Sequence, residues 1–480
     1  MHPDRGNPVR RRVLLANLNG YDQPYPVYPL GIAYLDGGLR EAGHQTRIWD
    51  AHVSPERLEE AVAAFAPDYI ALSMRNVDNV QYHNPRSFVD ELLEACRRAR
   101  GATDARLIVG GSGFSVFPRE LFGASCADYG IHGEGEASFP QLIEALETGG
   151  PLEGVSGLLY RRADGTIQMN ACSARDTAFC TVPWHDEAIL RAYSAKGSLP
   201  GVQTQRGCPL RCCYCTYPSI EGKRSRYRTG EEIVEEMRRL LAMGTNFTFL
   251  VDSVFNTRAD HVIQVCEALA RADLGMEWQC FLRPRNVSRD LLKLMRRAGL
   301  RHVEFGSDSF SDPVLKRYGK SFTWEEIRQA SLDAQELDIR YSHFLIFGGP
   351  GETPDSVEET IARAQSLPGA FYFATIGMRI YPDTPLWRQL NPEARGETAG
   401  DYLHEPRFFL EPPFTVGGLF GRLARHRDAY HNWVIGDPPP SFLETVGKLR
   451  ARGVRGPMWE YIATLQRFAR HQEKSKLPAA

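Results

Sequence analysis

The sequence predicts an α/β protein made of two strand–helix series in tandem, a doubly wound open sheet and then a partial (β/α)6 barrel, followed by a mostly helical cap. Three observations carry that expectation. Short apolar runs alternate with helical patterns from Val13 to Leu146 and again from Val202 to Tyr381, which is how parallel strands joined by crossover helices are written. Turns rich in Gly, Asn, Asp and Ser follow the strands of both series. Beyond Pro385 the alternation stops and an irregular aromatic stretch leads into helical segments. The expected divisions are residues 1–150, a connector at 151–200, a second α/β domain at 201–390 and the cap at 391–480.

In the first series Val13 to Leu18 is a short apolar strand, and Gly31 to Ala42 is a helix ended by Gly43. His44 to Asp50, Tyr69 to Met74, Ala105 to Val109 and Tyr129 to His132 supply four further strands. Helices are expected at Glu56 to Phe65, Ser87 to Arg98 and Glu136 to Leu146. Ligands of such sheets lie at the carboxyl ends of the strands. The turns Gly110-Gly-Ser-Gly113 and Gly133-Glu-Gly-Glu136 are therefore the expected ligand loops. A hairpin from Leu158 to Met169 falls in the connector, where Cys172 and Cys180 have no metal-ligand partners in sequence.

The second series has strands at Val202 to Thr204, Phe247 to Val251, Glu277 to Leu282, Val303 to Phe305, Tyr341 to Phe347 and Thr375 to Tyr381. Polar or glycine-rich groups follow nearly every one, which places the active site on one rim of the barrel. After the first strand comes Arg206-Gly-Cys-Pro-Leu-Arg-Cys-Cys-Tyr-Cys-Thr-Tyr-Pro218. Cys208, Cys212 and Cys215 offer three thiolates at Cys-x3-Cys-x2-Cys spacing. A four-iron cluster held by three cysteines keeps one iron open, whereas the usual cluster has four. A zinc knuckle would need a fourth ligand; Cys213 is adjacent to Cys212 and poorly placed to share one tetrahedral ion. Buried structural thiols are the other alternative.

This loop resembles the signature of the radical S-adenosylmethionine (SAM) superfamily, with Tyr214 as the aromatic residue before the third cysteine. The resemblance implies a [4Fe-4S] cluster whose open iron chelates SAM. By position it also implies that Asp252 and Ser253 hold the methionyl amine, that Asp308 and Ser309 contact the ribose and methionyl end, and that Ile380 and Tyr381 read the adenine edge. Asp308 stands where relatives carry Glu, one methylene longer. Arg283 is a candidate carboxylate or ribose partner, since guanidinium binds carboxylate in bidentate fashion. Lys223, Arg224, Arg226 and Arg228 either neutralise the cofactor's carboxylate or form a solvated basic stretch.

The first series resembles the cobalamin-binding domain found ahead of many radical SAM domains. Pro29-Leu-Gly-Ile-Ala-Tyr-Leu35 with Leu39-Arg-Glu-Ala-Gly43, Ile108-Val-Gly-Gly111 and His132-Gly-Glu-Gly-Glu136 carry the resemblance. It implies that Gly110, Gly111, Ser112, Gly133, Glu134 and Gly135 line the slot for the nucleotide tail. The Asp-x-His-x-x-Gly motif that ligates cobalt is missing; Asn17-Leu-Asn-Gly20 stands in its place. Asn17, Ser73, Arg75 and Asn76 are then the candidates for the lower face of the corrin.

With 57 basic and 59 acidic residues the net charge is −2, which gives no electrostatic case for nucleic acid or an anionic membrane as partner. No apolar run approaches the ~20 residues that span a bilayer, and ten cysteines beside a cluster loop suit a reducing cytoplasm. The resemblances together imply a cobalamin-dependent radical SAM C-methyltransferase acting on an unactivated carbon of a small molecule or natural-product intermediate. The electron donor would be external, such as flavodoxin or ferredoxin. Relatives with the same layout also form or contract rings or oxidise, and no residue here separates these.

Overall fold

The computed structural model describes residues 10–23, 25–172, 182–430, 432–438, 440–454 and 456–457. The first sheet contains β1 (Arg12–Asn17), β2 (Gln45–Asp50), β3 (Tyr69–Ser73), β4 (Arg106–Gly110), β5 (Tyr129–Ile131), β6 (Leu158–Arg161) and β7 (Ile167–Met169), in the order β2-β1-β3-β4-β5-β6-β7. β1 to β5 are parallel, and β1 pairs with both β2 and β3, so the order reverses between β1 and β3. The expected hairpin is β6–β7, but it does not stand in a free connector. It pairs antiparallel on β5 and covers that strand's edge, as a sheet edge requires.

Both faces of this sheet are apolar because its strands are covered by helices on each side. Leu15, Ile32, Leu39, Ile108, Phe139 and Leu142 fill one face. On the other, Leu14, Leu72, Leu92, Phe114 and Phe122 pack continuously onto Tyr318, Ile380, Trp387 and Tyr402 of the second half. Arg379, 2 % exposed, closes the same interface with Asp78 at 2.9 Å.

The second half opens with β8 (Gly201–Val202), β9 (Gln205–Arg206) and β10 (Arg226–Tyr227), the last two forming a small antiparallel pair. β11 (Phe247–Leu250), β12 (Glu277–Leu282), β13 (Leu300–Asp308), β14 (Arg340–Phe347) and β15 (Phe371–Ile376) follow. The chain then forms β16 (Met378–Arg379), β17 (Phe408–Phe409) and β18 (Trp433–Ile435). The parallel barrel sheet runs β18-β15-β14-β13-β12-β11-β8. The six expected strands are joined by a seventh, β18, where sequence pattern suggests a helix; three buried residues are too short a run to stand out. His431, two residues before β18, lies outside the described residues.

The sixth barrel strand, expected at Thr375 to Tyr381, lies at Phe371–Ile376, and Gly377, with φ 73°, then turns the chain into β16, which pairs with β17. Ile380 and Tyr381 therefore follow the strand's departure from the barrel. Among the described residues no helix is long and apolar enough to cross a membrane.

Candidate active site

The cysteine loop leaves β9 through Gly207, whose φ is 87° and at which any side chain would collide with the Arg224 carbonyl. Backbone bonds then brace it: Cys208 N donates to Gly222 O (3.0 Å), Cys213 N to Tyr318 O (2.9 Å) and Leu386 N to Cys213 O (2.8 Å). Cys213 turns away from its neighbours. Its Sγ lies 3.5 Å from Met378 Sδ within the apolar core, and burial pushes its thiol up to about 12.

Cys208, Cys212 and Cys215 lie together on this braced loop. Burial raises all three thiols, and Cys212 further raises both Cys208 and Cys215. Among the described residues no three His, Cys, Asp or Glu side chains converge as one metal ion would require. A four-iron cluster asks for something else, one sulfur at each of three irons, and the braced trio suits that demand.

A buried cation that sequence reasoning missed stands beside the loop. Lys320 Nζ pairs with Asp308 at 2.6 Å, with side chains 7 % and 4 % exposed, and donates to Gly306 O at 3.2 Å. Tyr214 Oη donates to the same Asp308 oxygen at 2.6 Å. Asp308 was expected at the ribose. Instead β13 shifts register after Phe305 and Asp308 adopts φ 63°, which directs its carboxylate to Lys320 and Tyr214. Gly319 packs so closely on the Arg211 carbonyl that a Cβ would collide there, which seats the lysine turn on the cluster loop. The Gly319-Lys320 pair after a short helix is the one sequence cue, and a weak one.

Asp252 also departs from expectation. Its carboxylate accepts Thr204 N (2.7 Å), Thr204 Oγ1 (2.6 Å) and Gln205 N (3.0 Å). It braces the strand that leads into the cysteines rather than presenting itself to an amine, and burial pushes it up to about 7. Ser253 lies 3.4 Å from Glu221, an unforeseen carboxylate that also receives Gly207 N (3.2 Å) and Gln203 Nε2 (3.1 Å). Ser309 is likewise occupied, with Thr360 Oγ1 at 3.3 Å and Ser311 N at 3.1 Å.

Ile380 N donates to Arg407 O, and Ile380 O and Tyr381 O accept from Arg379 and Thr384. These bonds tie the segment to the β16–β17 pair and to a helix-entry turn. Arg283 keeps its candidacy. Its Nε is buried with no partner among the described residues, and burial lowers its guanidinium while Cys208 lies near enough to oppose that shift.

In the first sheet a crevice opens at the carboxyl ends of β1 and β3, between Leu18-Asn19-Gly20 and Met74-Arg75-Asn76. That is where the strand order reverses, the expected ligand position of an open α/β sheet. Asn17 is not on it: its carboxamide donates to Asp50 (2.8 Å) and Tyr193 (3.1 Å) inside the protein. Ser73 ends β3 beneath the crevice. Arg75 is exposed to it yet enclosed enough for burial to depress its guanidinium.

The glycine loops serve close packing. Gly111 has φ 101° and presses on the Met74 carbonyl, Ser112 Oγ donates to Arg75 O at 2.7 Å, and Gly110 is half-buried beside them. Gly133 N donates to Ser115 Oγ at 2.9 Å, and a Cβ on Gly135 would meet Leu35 at 2.8 Å. Glu134 stands at the domain joint: it pairs with Arg206 (3.0 Å) and Arg226, while Glu136 pairs with Arg206. Arg228 is engaged by Glu236, so of the basic stretch only Lys223 and Arg224 are exposed.

The Tyr217–Ile220 helix that follows the cysteine loop packs against Phe114–Val116 of the first half. Tyr217, two residues past Cys215 and 44 % exposed, is close enough to feel Arg75 as well as Cys215 and Cys208.

Comparison with known proteins agrees with this division. A family model described as the radical SAM superfamily matches residues 202–364, and one described as a B12 binding domain matches residues 21–143. An uncharacterised methyltransferase of Pyrococcus horikoshii is 27 % identical over 368 residues, 75 % of this chain and 77 % of that protein. Tryptophan 2-C-methyltransferase of Streptomyces laurentii is 23 % identical over 457 residues, 80 % and 76 % of the two chains. The structure of the radical SAM methyltransferase TsrM from Kitasatospora setae, with cobalamin and [4Fe-4S] cluster bound, superposes with a TM-score of 0.84. That match covers 97 % of this chain and 100 % of the other at 21 % identity, a likeness of fold. The chain thus carries a B12-binding domain followed by a radical SAM domain, arranged in a fold like that of TsrM.

Proposed function

We propose that the protein is a C-methyltransferase that places a methyl group on an unactivated carbon of a small organic molecule. The observation that carries this reading is the packing of the two halves: the Tyr217–Ile220 helix just past the cysteine loop lies against Phe114–Val116, which follows the 110–113 turn of the first sheet. Cys208, Cys212 and Cys215 would hold the cluster. Arg283 and Lys320 are the cations available to the carboxylate of SAM, with Tyr214 fixed beside them by Asp308. Arg75 and Asn76 would lie under the corrin, with the 110–113 turn along its edge. When bound, these groups supply an electron, an adenosyl radical source and a transferable methyl group. The chain's own part is to hold the reactants in register and keep water from them. The described cysteines form no disulfide with one another, which suits a reducing cytoplasm, with a flavodoxin or ferredoxin as electron donor.

The test is anaerobic reconstitution with iron, sulfide and hydroxocobalamin, followed by desalting and metal analysis. Four irons with one cobalt per chain, and transfer of label from methyl-labelled SAM to retained cobalamin, are expected. Four irons without cobalt would sink the methyltransferase reading and leave radical chemistry of another kind.

A further inference from the structure

The cysteine loop is flanked by cations that the chemistry described above leaves unused. Pro209 and Arg211, which link Cys208 to Cys212, are exposed, and Leu210 between them is half-buried. On one flank Lys223 and Arg224 are exposed; Cys208 N donates to Gly222 O, and Gly207 lies against the Arg224 carbonyl. On the other flank the short helix Asp312–Arg317 ends in Lys316 and Arg317, both exposed. Gly319, two residues further on, sits against the Arg211 carbonyl, and Tyr318 O receives Cys213 N at 2.9 Å. Arg211, Lys223, Arg224, Lys316 and Arg317 thus form a collar around one loop tip.

Among the described residues none of these five side chains forms an ion pair or a hydrogen bond. Exposed arginines on other helices do pair: Arg97 with Glu94, Arg238 with Glu235 and Arg328 with Glu325. Carboxylates close to the loop are already engaged. Glu221 takes Gly207 N and Gln203, Asp308 takes Lys320 and Tyr214, and Glu411 takes the N–H of Gly351, on which the Arg317 stem lies. The chain as a whole has a net charge of −2, so the collar is a local excess of one sign rather than a share of a basic surface. Such an excess attracts a partner of opposite charge and speeds its encounter.

We propose that this collar is the docking surface for an acidic flavodoxin. The apolar edge of the flavin seats on Pro209 and Leu210. Carboxylates around it meet Arg211, Lys316 and Arg317 on one side and Lys223 and Arg224 on the other. One electron passes across residues 209–211: the reduced flavin is oxidised by one electron, the cluster is reduced by one, and no group moves with it. The proposal rests on the reading of Cys208, Cys212 and Cys215 as cluster ligands, while the docking itself is measured without turnover.

The probe is a purified acidic flavodoxin, titrated calorimetrically in its oxidised form into the reconstituted full chain and into the apoprotein. Binding at about 50 mM salt should weaken about tenfold at about 300 mM. Arg211→Glu, Lys316→Glu and Arg317→Glu combined should weaken it at least about tenfold at the lower salt, and Lys223→Glu with Arg224→Glu should do so severalfold. Lys448→Glu, an exposed position outside the collar, should leave it unchanged. In the triple variant iron content should match wild type and dithionite should bleach the cluster as fast as before, while reduced flavodoxin bleaches it more slowly. Binding that ignores salt, a triple variant that binds like wild type, or no binding at about 100 μM would overturn the proposal. Tighter binding of a plant-type ferredoxin, titrated alongside, would overturn the choice of partner. Should the triple variant lose its iron, the Lys223→Glu, Arg224→Glu pair on the other flank decides. Flavodoxin binding without retained cobalt would leave this surface standing and remove the methyltransferase reading; retained cobalt without flavodoxin binding would do the reverse.

Discussion

The carboxyl ends of the two parallel sheets are built on different plans. At the barrel rim polar side chains brace one another: Asp252 holds Thr204 and Gln205, Ser309 holds Ser311, and Asp308 holds Lys320 and Tyr214. At the first sheet's crevice close packing does the work, with Gly111 against the Met74 carbonyl and the Ser112 hydroxyl on the Arg75 carbonyl, and the Arg75 side chain lines the crevice. A rim that must hold a cluster loop in one geometry needs cross-braces. A slot for a large flat ligand needs absent side chains. The same strand-end position therefore carries a structural load in one half and a vacancy in the other.

Four experiments break or sharpen that contrast. The largest effect belongs to the thiols: Cys208→Ala, Cys212→Ala or Cys215→Ala should each bring iron to background after reconstitution. Cys213→Ala should keep it, because that sulfur faces Met378; iron loss in this variant would remove the distinction between the four cysteines.

Next comes the buried pair. Lys320→Met leaves Asp308 unpaired beside the loop and should cost about 3–5 kcal/mol of stability, seen as a lower denaturation midpoint, together with weaker SAM binding by titration. An unchanged midpoint would mean that the brace carries no load.

Asp252 gives a pH signature. Its carboxyl rises from 3.8 to about 7 on folding, so the folded state keeps a proton that the unfolded chain has released. The stability this provides is present below about pH 4 and is lost as pH rises toward 7, by about 4 kcal/mol in all. Asp252→Asn should flatten that slope in denaturation curves of the apoprotein at pH 4.5 and 7.5, while SAM affinity at neutral pH stays close to wild type.

The smallest effect tests the crevice. Gly111→Ala forces φ 101° on a side-chain-bearing residue, at about 1–2 kcal/mol, and should lower retained cobalt severalfold with iron intact. Equal loss of both metals would show that the two rims are not separate after all.

Much of the fold was legible because periodicity reports which face of an element is buried. The cluster loop was legible because three thiols in eight residues have few other uses. What escaped was direction. Sequence places Asp252 and Ser309 at strand ends, where relatives bind ligand, but cannot say that donors two or more residues away along the fold will occupy them first. Lys320 escaped for a related reason, since one charged residue on a turn looks like a solvated one until its surroundings close. β18 was lost because three residues, Trp433 to Ile435, carry no period.

The ion cluster at the domain joint has a consequence for how such proteins can be recombined. Glu134 and Glu136 belong to the first half and Arg206 and Arg226 to the second, and Arg206 is two residues from Cys208. A chimera that took its halves from different parents would have to carry all four together. Without its carboxylates, the borrowed half would leave two guanidinium groups buried against the root of the cysteine loop, and damage from a mismatched first domain would surface in the second as lost iron.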